Sequence, residues 1–389
     1  MEPIYLDHSA TTPVRADVLD AMLPYLRMSW GNPSSAHRFG RAARGGLEQA
    51  KREVAQALGV EPNQVIFTSG GTEADNLAVI GSALAARSHG RAMHVVTTAI
   101  EHKAILAASH AVVALGGRET LLPVDHNGVI DLAALDAALT SSPSLVSVMW
   151  VNNEVGVVQP MIVIGERCRA AGVPLHSDAV QAFGKVPLDL DAANIRLLSI
   201  SGHKLGAPKG IGALIVRDRK IVEAIIHGGG QQYGIRPGTE NVAGAVALGR
   251  AALLTQQESA AEITRLRALR DQLAERFRAV VPDLVTHAAG AERAPHILSI
   301  GVPGGDAEAL LMHLDLAGIA CSGGSACSTG AVEPSHVLVA MRVPETMALA
   351  TLRFSLGHET TPGDIDRVVA AFPGVVEKVR QLGASLDRV

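Results

Sequence analysis

"SISGHKLGAPKGIGALIV", residues 199–216, runs from a short apolar strand straight into Gly202, His203 and Lys204, then through a glycine-rich loop into a second apolar strand. A lysine here stands at the carboxyl end of a strand, in the crevice where open α/β sheets bind ligands, and is placed for Schiff-base chemistry. A solvated turn lysine fits the same spacing, because most lysines are surface charges. Residues further out along the chain separate the two readings.

Upstream, "LHSDAVQAFG" (175–184) ends another short apolar strand at Asp178. A buried carboxylate is costly without a cationic partner. The protonated pyridine nitrogen of pyridoxal phosphate is such a partner, and an Asp opposite a Schiff-base lysine is the pairing that cofactor uses. In "FTSGGTEADN" (67–76) a strand ends at Gly70 and Gly71, and Thr72 opens a helix. Backbone N–H groups and a hydroxyl can converge there on an anion such as a phosphate. Helix capping by Thr72 explains the same turn, and the spacing matches neither a P-loop nor a dinucleotide fingerprint.

"TTAIEHKAIL" adds His102 between a strand and a helix, where an imidazole can stack on a ring and exchange protons near neutral pH, or simply cap the helix. "MWVNNEVGVVQP" offers Asn152, Asn153 and Glu154 at the same sheet edge, consistent with ligand contacts or an ordinary turn. "GGGQQYGIRPGTEN" (228–241) is a loop of the kind that approaches ligands or a second subunit.

From about residue 60 to 216, β-rich runs alternate with helical patterns, and the strands are near-continuous apolar runs, which predicts a mostly parallel α/β sheet covered on both faces. The stretch 239–281 reads as one or two helices leading out of this unit, with a boundary near 255. The remainder repeats a smaller α/β pattern and contains "CSGGSACSTG" (321–330), which holds two of the chain's three cysteines. Three cysteines in 389 residues make no disulfide framework, and the N-terminus lacks the pattern of a secretory signal, so a cytoplasmic protein with reduced thiols is expected. Net charge is −4 without basic blocks, which argues against nucleic acid, and no apolar run approaches a membrane span.

Together "YLDHSATTP", "GNPSSAHRFGR", "FTSGGTEADN", "EHKA", "VNNEVGVVQP", "SDAVQAFGKVP", "SGHK", "PKGIGAL", "RPGTEN", "SACSTG", "EPSHVL" and "LRFSLG" occur in the order found in cysteine desulfurases of the class V aminotransferase fold. The chain resembles their NifS/IscS type, in the subgroup with a long cysteine-bearing loop, from Tyr5 to about Gly357. The resemblance implies a fold type I pyridoxal-phosphate enzyme. Its large domain, 12–255, would hold a mostly parallel seven-stranded sheet, and a smaller α/β domain, 1–11 and 256–389, would carry a mobile cysteine loop at about 321–331. It implies a cytoplasmic homodimer that converts L-cysteine to L-alanine and passes sulfur to an acceptor protein, for iron–sulfur clusters or thiolated cofactors.

By motif, the resemblance implies that Lys204 forms the Schiff base, Asp178 meets the pyridinium nitrogen, Gln181 the ring hydroxyl oxygen, and His102 stacks on the ring and shuttles protons. Gly71, Thr72, Ser201 and His203 would cradle the phosphate, with Thr239 reaching in from the partner subunit. Asn153 would bind near cofactor and substrate, and Arg353, assisted by Asn32, would grip the substrate carboxylate. Cys327 matches the nucleophile that takes the sulfur as a persulfide. It is also conceivable as a transient iron–sulfur ligand, with no permanent metal site expected. Cys321 and Cys168 read as packing residues. Trp150 and "LGAP" (205–208) depart from the family pattern and could tune the substrate pocket. Alternatives are a selenocysteine or cystine lyase, an aminotransferase, or a metal-binding protein using Cys321, Cys327 and His336, whose spacing fits no closed zinc pattern.

Overall fold

The computed structural model describes residues 3–323 and 333–386. The alternating pattern of 60–216 folds into a seven-stranded sheet in the order Val65–Thr68, Gly212–Val216, Ile195–Ser201, Leu175–Asp178, Leu145–Ser147, His94–Thr98, Arg118–Leu122. Gly212–Val216 pairs antiparallel with both its neighbours, and the other neighbouring pairs are parallel. Six strands therefore point the same way. Their carboxyl ends meet at one edge, which is where a doubly covered sheet binds ligands.

The strands are Val-, Ile- and Leu-rich because helices cover both faces. One core cluster joins the sheet to helices Arg38–Leu58, Met161–Ala171 and the first part of Val242–Val280. A second packs helices Gly71–Ser88 and Lys103–Ala114 on the other face. Arg38–Leu58 and Ala16–Arg27 lie before residue 60, outside the alternation that the sequence shows most plainly.

The stretch 239–281 forms one helix of 39 residues, Val242–Val280, about 58 Å long at 1.5 Å per residue. Its apolar residues join the sheet's core up to Leu254 and a separate core from Leu266 onward. That second core includes Ile4 and Leu6, strands Ile297–Gly301 and Thr351–Ser355, and the closing helix Pro362–Leu386. Phe277 stacks on Phe372 at 4.1 Å between centroids and meets Phe354 edge-on at 5.1 Å, so three of the chain's six phenylalanines anchor it. The N-terminal segment pairs with this part of the chain, Ile4–Tyr5 running parallel to Ile319–Ala320. It then passes under Lys204.

Candidate active site

Strand periodicity puts His176 and Asp178 on one face of Leu175–Asp178, under helix Gly71–Ser88. Asp178 is 6% exposed and accepts the Val180 N–H at 2.8 Å. Burial raises its pKa, while His102, the Val180 N–H and Lys204 pull it down. The next strand, Ile195–Ser201, ends in a single tight turn, Gly202–Lys204. The Lys204 ammonium donates to the carbonyls of Ser9 and, at 2.7 Å, Ala10. Burial, with the Arg353 charge adding to it, lowers its pKa to about 8.

His102 caps helix Lys103–Ala114, its Nδ1 accepting the Ala104 N–H at 3.2 Å, so its proton rests on Nε2. Burial lowers its pKa against the pull of Asp178. Gln181 donates to the Ser9 carbonyl at 2.9 Å and meets His296 Nε2 at 3.2 Å. Arg353, on Thr351–Ser355, donates to Asp7 Oδ1 at 2.8 Å and to the Asn153 carbonyl at 2.9 Å. Its Nε is buried with no partner. A buried guanidinium with a spare donor is prepared for a further acceptor such as a carboxylate.

A cleft beside Lys204 is lined by Thr11, Gly71, Thr72, Ser201, His203 and Lys209, among others, at the N-terminus of helix Gly71–Ser88. The first N–H groups of that helix have no intrahelical acceptor, and the dipole adds positive potential. A Cβ on Gly71 would stand 3.0 Å from Val180 Cγ2 and 3.4 Å from Ser201 Cβ, so glycine lets the helix start close to the sheet edge without displacing the Val180 side chain. Burial, with Lys204 and Lys209 adding to it, lowers the His203 pKa to about 4, leaving a neutral imidazole. An anion-binding cleft, a buried carboxylate with no full ion-pair partner and a partly neutralised lysine fit the phosphate, ring nitrogen and aldehyde carbon of pyridoxal phosphate.

The structure thus gathers Lys204, Asp178, His102, Gln181, Gly71, Thr72, Ser201, His203, Asn153 and Arg353 along one edge. Two other expected residues show no such contact. Asn32 is exposed and its Oδ1 accepts the Ser34 N–H. Thr239 is exposed on the loop before Val242–Val280. Cys327 lies outside the described residues, whose flanks are Ser322–Gly323, paired across from Arg353 and Leu352, and Ser335, whose hydroxyl bonds Glu154. Trp150 is 5% exposed in the sheet's core, so it packs the sheet instead of shaping the pocket. Cys168 is fully buried, and burial pushes its thiol up to about 12; Cys321 is half-buried, packs against the second core, and is pushed equally high, burial leading and Asp7 adding to it. Neither is a ready thiolate. Asn152 holds the turn, accepting from the Glu154 and Val155 N–H groups.

Sequence reasoning missed Asp7, the partner of Arg353, and the buried acids Asp75 and Glu101. Glu101 accepts from Thr98 Oγ1 and the Met149 N–H, and burial raises its pKa to about 8. The available signal for Asp75 was a lone carboxylate on an Ala-rich helix face, and for His176 its period-two relation to Asp178. Among the described residues no group of three or more His, Cys, Asp and Glu could hold a metal ion, and no helix is long and apolar enough to cross a membrane.

The model of the class-V aminotransferase family matches residues 4–368. Cysteine desulfurase 2 of Trichormus variabilis is 46% identical over 98% of this chain and 95% of its own length. The cysteine desulfurase IscS of Dictyoglomus turgidum is 40% identical over 97% of this chain and 96% of its own. Among solved structures, a NifS-like protein superposes with a TM-score of 0.88 at 32% identity, covering 98% of this chain and 99% of that one. A NifS-like protein from Rickettsia africae reaches 0.86 at 31%, covering 97% and 100%.

Proposed function

The chain belongs to the class-V aminotransferase family, and from that premise we infer that it is a pyridoxal-phosphate-dependent cysteine desulfurase, converting L-cysteine to L-alanine. The observation that carries the reading is the meeting, at one sheet edge, of Lys204 with a lowered pKa, the buried Asp178 and the neutral His102. Bound there, pyridoxal phosphate supplies an electron sink for the α-carbon of the substrate.

The residues divide the remaining work. The cleft at Gly71, Thr72, Ser201 and His203 holds the phosphate, Asp178 faces the ring nitrogen, Gln181 the ring hydroxyl, and His102 covers the ring face. Lys204, its pKa lowered to about 8, would hold the cofactor's aldehyde carbon through its amine and would carry the substrate's α-proton. Arg353, held against the Asn153 carbonyl, orients the substrate carboxylate through its guanidinium fork, and Asn32 is proposed to assist it. The Cys327 thiolate would attack the substrate sulfur as the Cβ–Sγ bond breaks, the electron pair staying with the carbon fragment that is protonated to alanine, and would keep the sulfur as a persulfide; the flanks of its segment lie beside the strand of Arg353 and against Glu154, which supports that role.

The product sulfur passes to an acceptor protein for iron–sulfur or thio-cofactor assembly, with Cys327 free to ligate a transient cluster. The enzyme works in the cytoplasm as a homodimer in which Thr239 of one subunit completes the other's phosphate site, and its exposed Leu26, Met28 and Trp30 supply apolar surface for such a contact. Residues 12–255 form the large domain, and 1–11 with 256–389 the small one. The purified protein is expected to be yellow and to lose its visible band in Lys204→Ala; a colourless wild type supplied with the cofactor would refute the reading.

A further inference from the structure

Behind Asp178 lies a buried polar chain that the desulfurase reaction does not itself use. Ser147 Oγ is 2.8 Å from His176 Nδ1, and His176 Nε2 is 2.9 Å from Ser199 Oγ. The Ser199 hydroxyl also contacts the carboxyl of Asp75, which is 1% exposed on helix Gly71–Ser88. Asp75 Oδ1 is buried without a hydrogen-bond partner and stands 3.9 Å from His176 Nε2. The charged groups facing Asp75 are the carboxyls of Asp178 and Glu101, so its neighbours offer it no cation while His176 is neutral. Burial pushes the His176 pKa down to about 3, so the imidazole is neutral across the working range.

Two buried carboxyls that repel each other in a dry site resist ionising together, and the proton settles on the one with fewer donors. Asp178 has the Val180 N–H and the pull of His102 and Lys204; Asp75 has only Ser199. A serine hydroxyl and a neutral imidazole each have one hydrogen to donate, so the direction in which Ser199 gives its hydrogen decides the His176 tautomer. If Asp75 is protonated and aims its acid hydrogen at Ser199, Ser199 donates to Nε2, and His176 carries its hydrogen on Nδ1 toward Ser147. If Asp75 is ionised, Ser199 donates to Asp75 and His176 must carry its hydrogen on Nε2.

We propose that Asp75 is a positioning residue that stays protonated beside the ionised Asp178, donates that hydrogen to Ser199 and fixes His176 as the Nδ1–H tautomer. One negative charge, on Asp178, then remains to face the cofactor's ring nitrogen. The chain of donors also anchors the strand end on which Asp178 sits, since Ser147, His176 and Ser199 come from three adjacent strands. Burial and the Asp178 charge both raise the Asp75 pKa well above the usual carboxylate range, in the direction the donor count requires.

The proposal rests on Asp178 being the partner of the ring nitrogen, and the test keeps the two apart. Nitrogen-15 NMR of the histidine-labelled holoenzyme, with the His176 signal assigned from its loss in His176→Gln, reads the tautomer directly. The expected result is Nδ1–H in the wild type and again in Asp75→Asn, because the amide donates to Ser199 as a protonated acid does. Cofactor affinity in Asp75→Asn should match the wild type. An Nε2–H tautomer in the wild type, or a loss of cofactor affinity of about tenfold or more in Asp75→Asn, would show that Asp75 acts as a carboxylate and overturn the proposal. Absence of a visible band in the wild type refutes the cofactor reading on which the role of Asp178 rests, while the His176 tautomer of the cofactor-free protein still decides the protonation of Asp75.

Discussion

At Lys204 burial and the Arg353 charge work against the ammonium and bring its pKa to about 8, from an ordinary value of about 10.4. Unfolding restores the ordinary value, so between those limits the unfolded chain binds more protons than the folded one. Stability of the cofactor-free protein therefore rises with pH across that window, and the penalty is complete below about pH 8. Urea unfolding of the cofactor-free wild type and Lys204→Met should diverge as pH falls from about 10.5 to 7.5, the wild type losing on the order of 3 kcal/mol relative to the variant. A pH-independent difference would mean that Lys204 is not desolvated. At Arg353 the prediction concerns shape: Lys keeps the charge but loses the fork and the Nε donor, so Arg353→Lys should raise the KM for cysteine by about ten- to hundredfold. An unchanged KM would place the carboxylate elsewhere.

At the scale of single elements, glycines set how closely parts of the site approach. Gly71→Ala puts a Cβ tight against Val180, so either that side chain or the helix start must give by a few tenths of an ångström, and it should weaken cofactor binding by about tenfold while shifting the thermal midpoint little. Gly184 sits at φ +75°, where a Cβ would meet Thr255 Cγ2 at 2.0 Å, so Gly184→Ala should instead destabilise the seat of helix Val242–Val280 by about 1–3 kcal/mol in urea titration. Equal effects from both would contradict this division. The elements were largely legible beforehand because apolar runs and helical periods are local: each predicted strand from Val65 to Val216 is present. The run at 144–151 breaks regular strand pairing after Ser147, although the Val148 and Trp150 N–H groups still bond His176 and Asp178, because a single carboxyl-end bend lets the turn 151–158 carry Asn153 toward Arg353. Lys204 and Asp178 could be read from strand ends. Asp7 could not, because Arg353 is far away in sequence, nor Glu101, whose near partner Thr98 gives no sign of burial; Asp75 left only the mark of a lone carboxylate on an Ala-rich helix face.

At the scale of the molecule, the site joins two cores through three segments: the N-terminal strand, the long helix and the strand of Arg353. Arg353 stands on a strand of the second core yet donates to the Asn153 carbonyl in the turn that leaves the large sheet, so the two cores share the site. Sedimentation should give twice the chain mass of 40.4 kDa, with Thr239→Ala lowering cofactor affinity without dissociating the dimer; a monomer with full cofactor affinity would contradict the shared site. The central claim is that Lys204 and Asp178 prepare cysteine for attack by Cys327. The measurement closest to it is mass spectrometry of peptides after one turnover with L-cysteine in the absence of a reductant. One extra sulfur atom on the peptide containing Cys327, present in the wild type and absent in both Cys327→Ser and Lys204→Ala, is the predicted result. Sulfur carried on Cys168 or Cys321 instead, or persisting on the Cys327 peptide in Lys204→Ala, would contradict it.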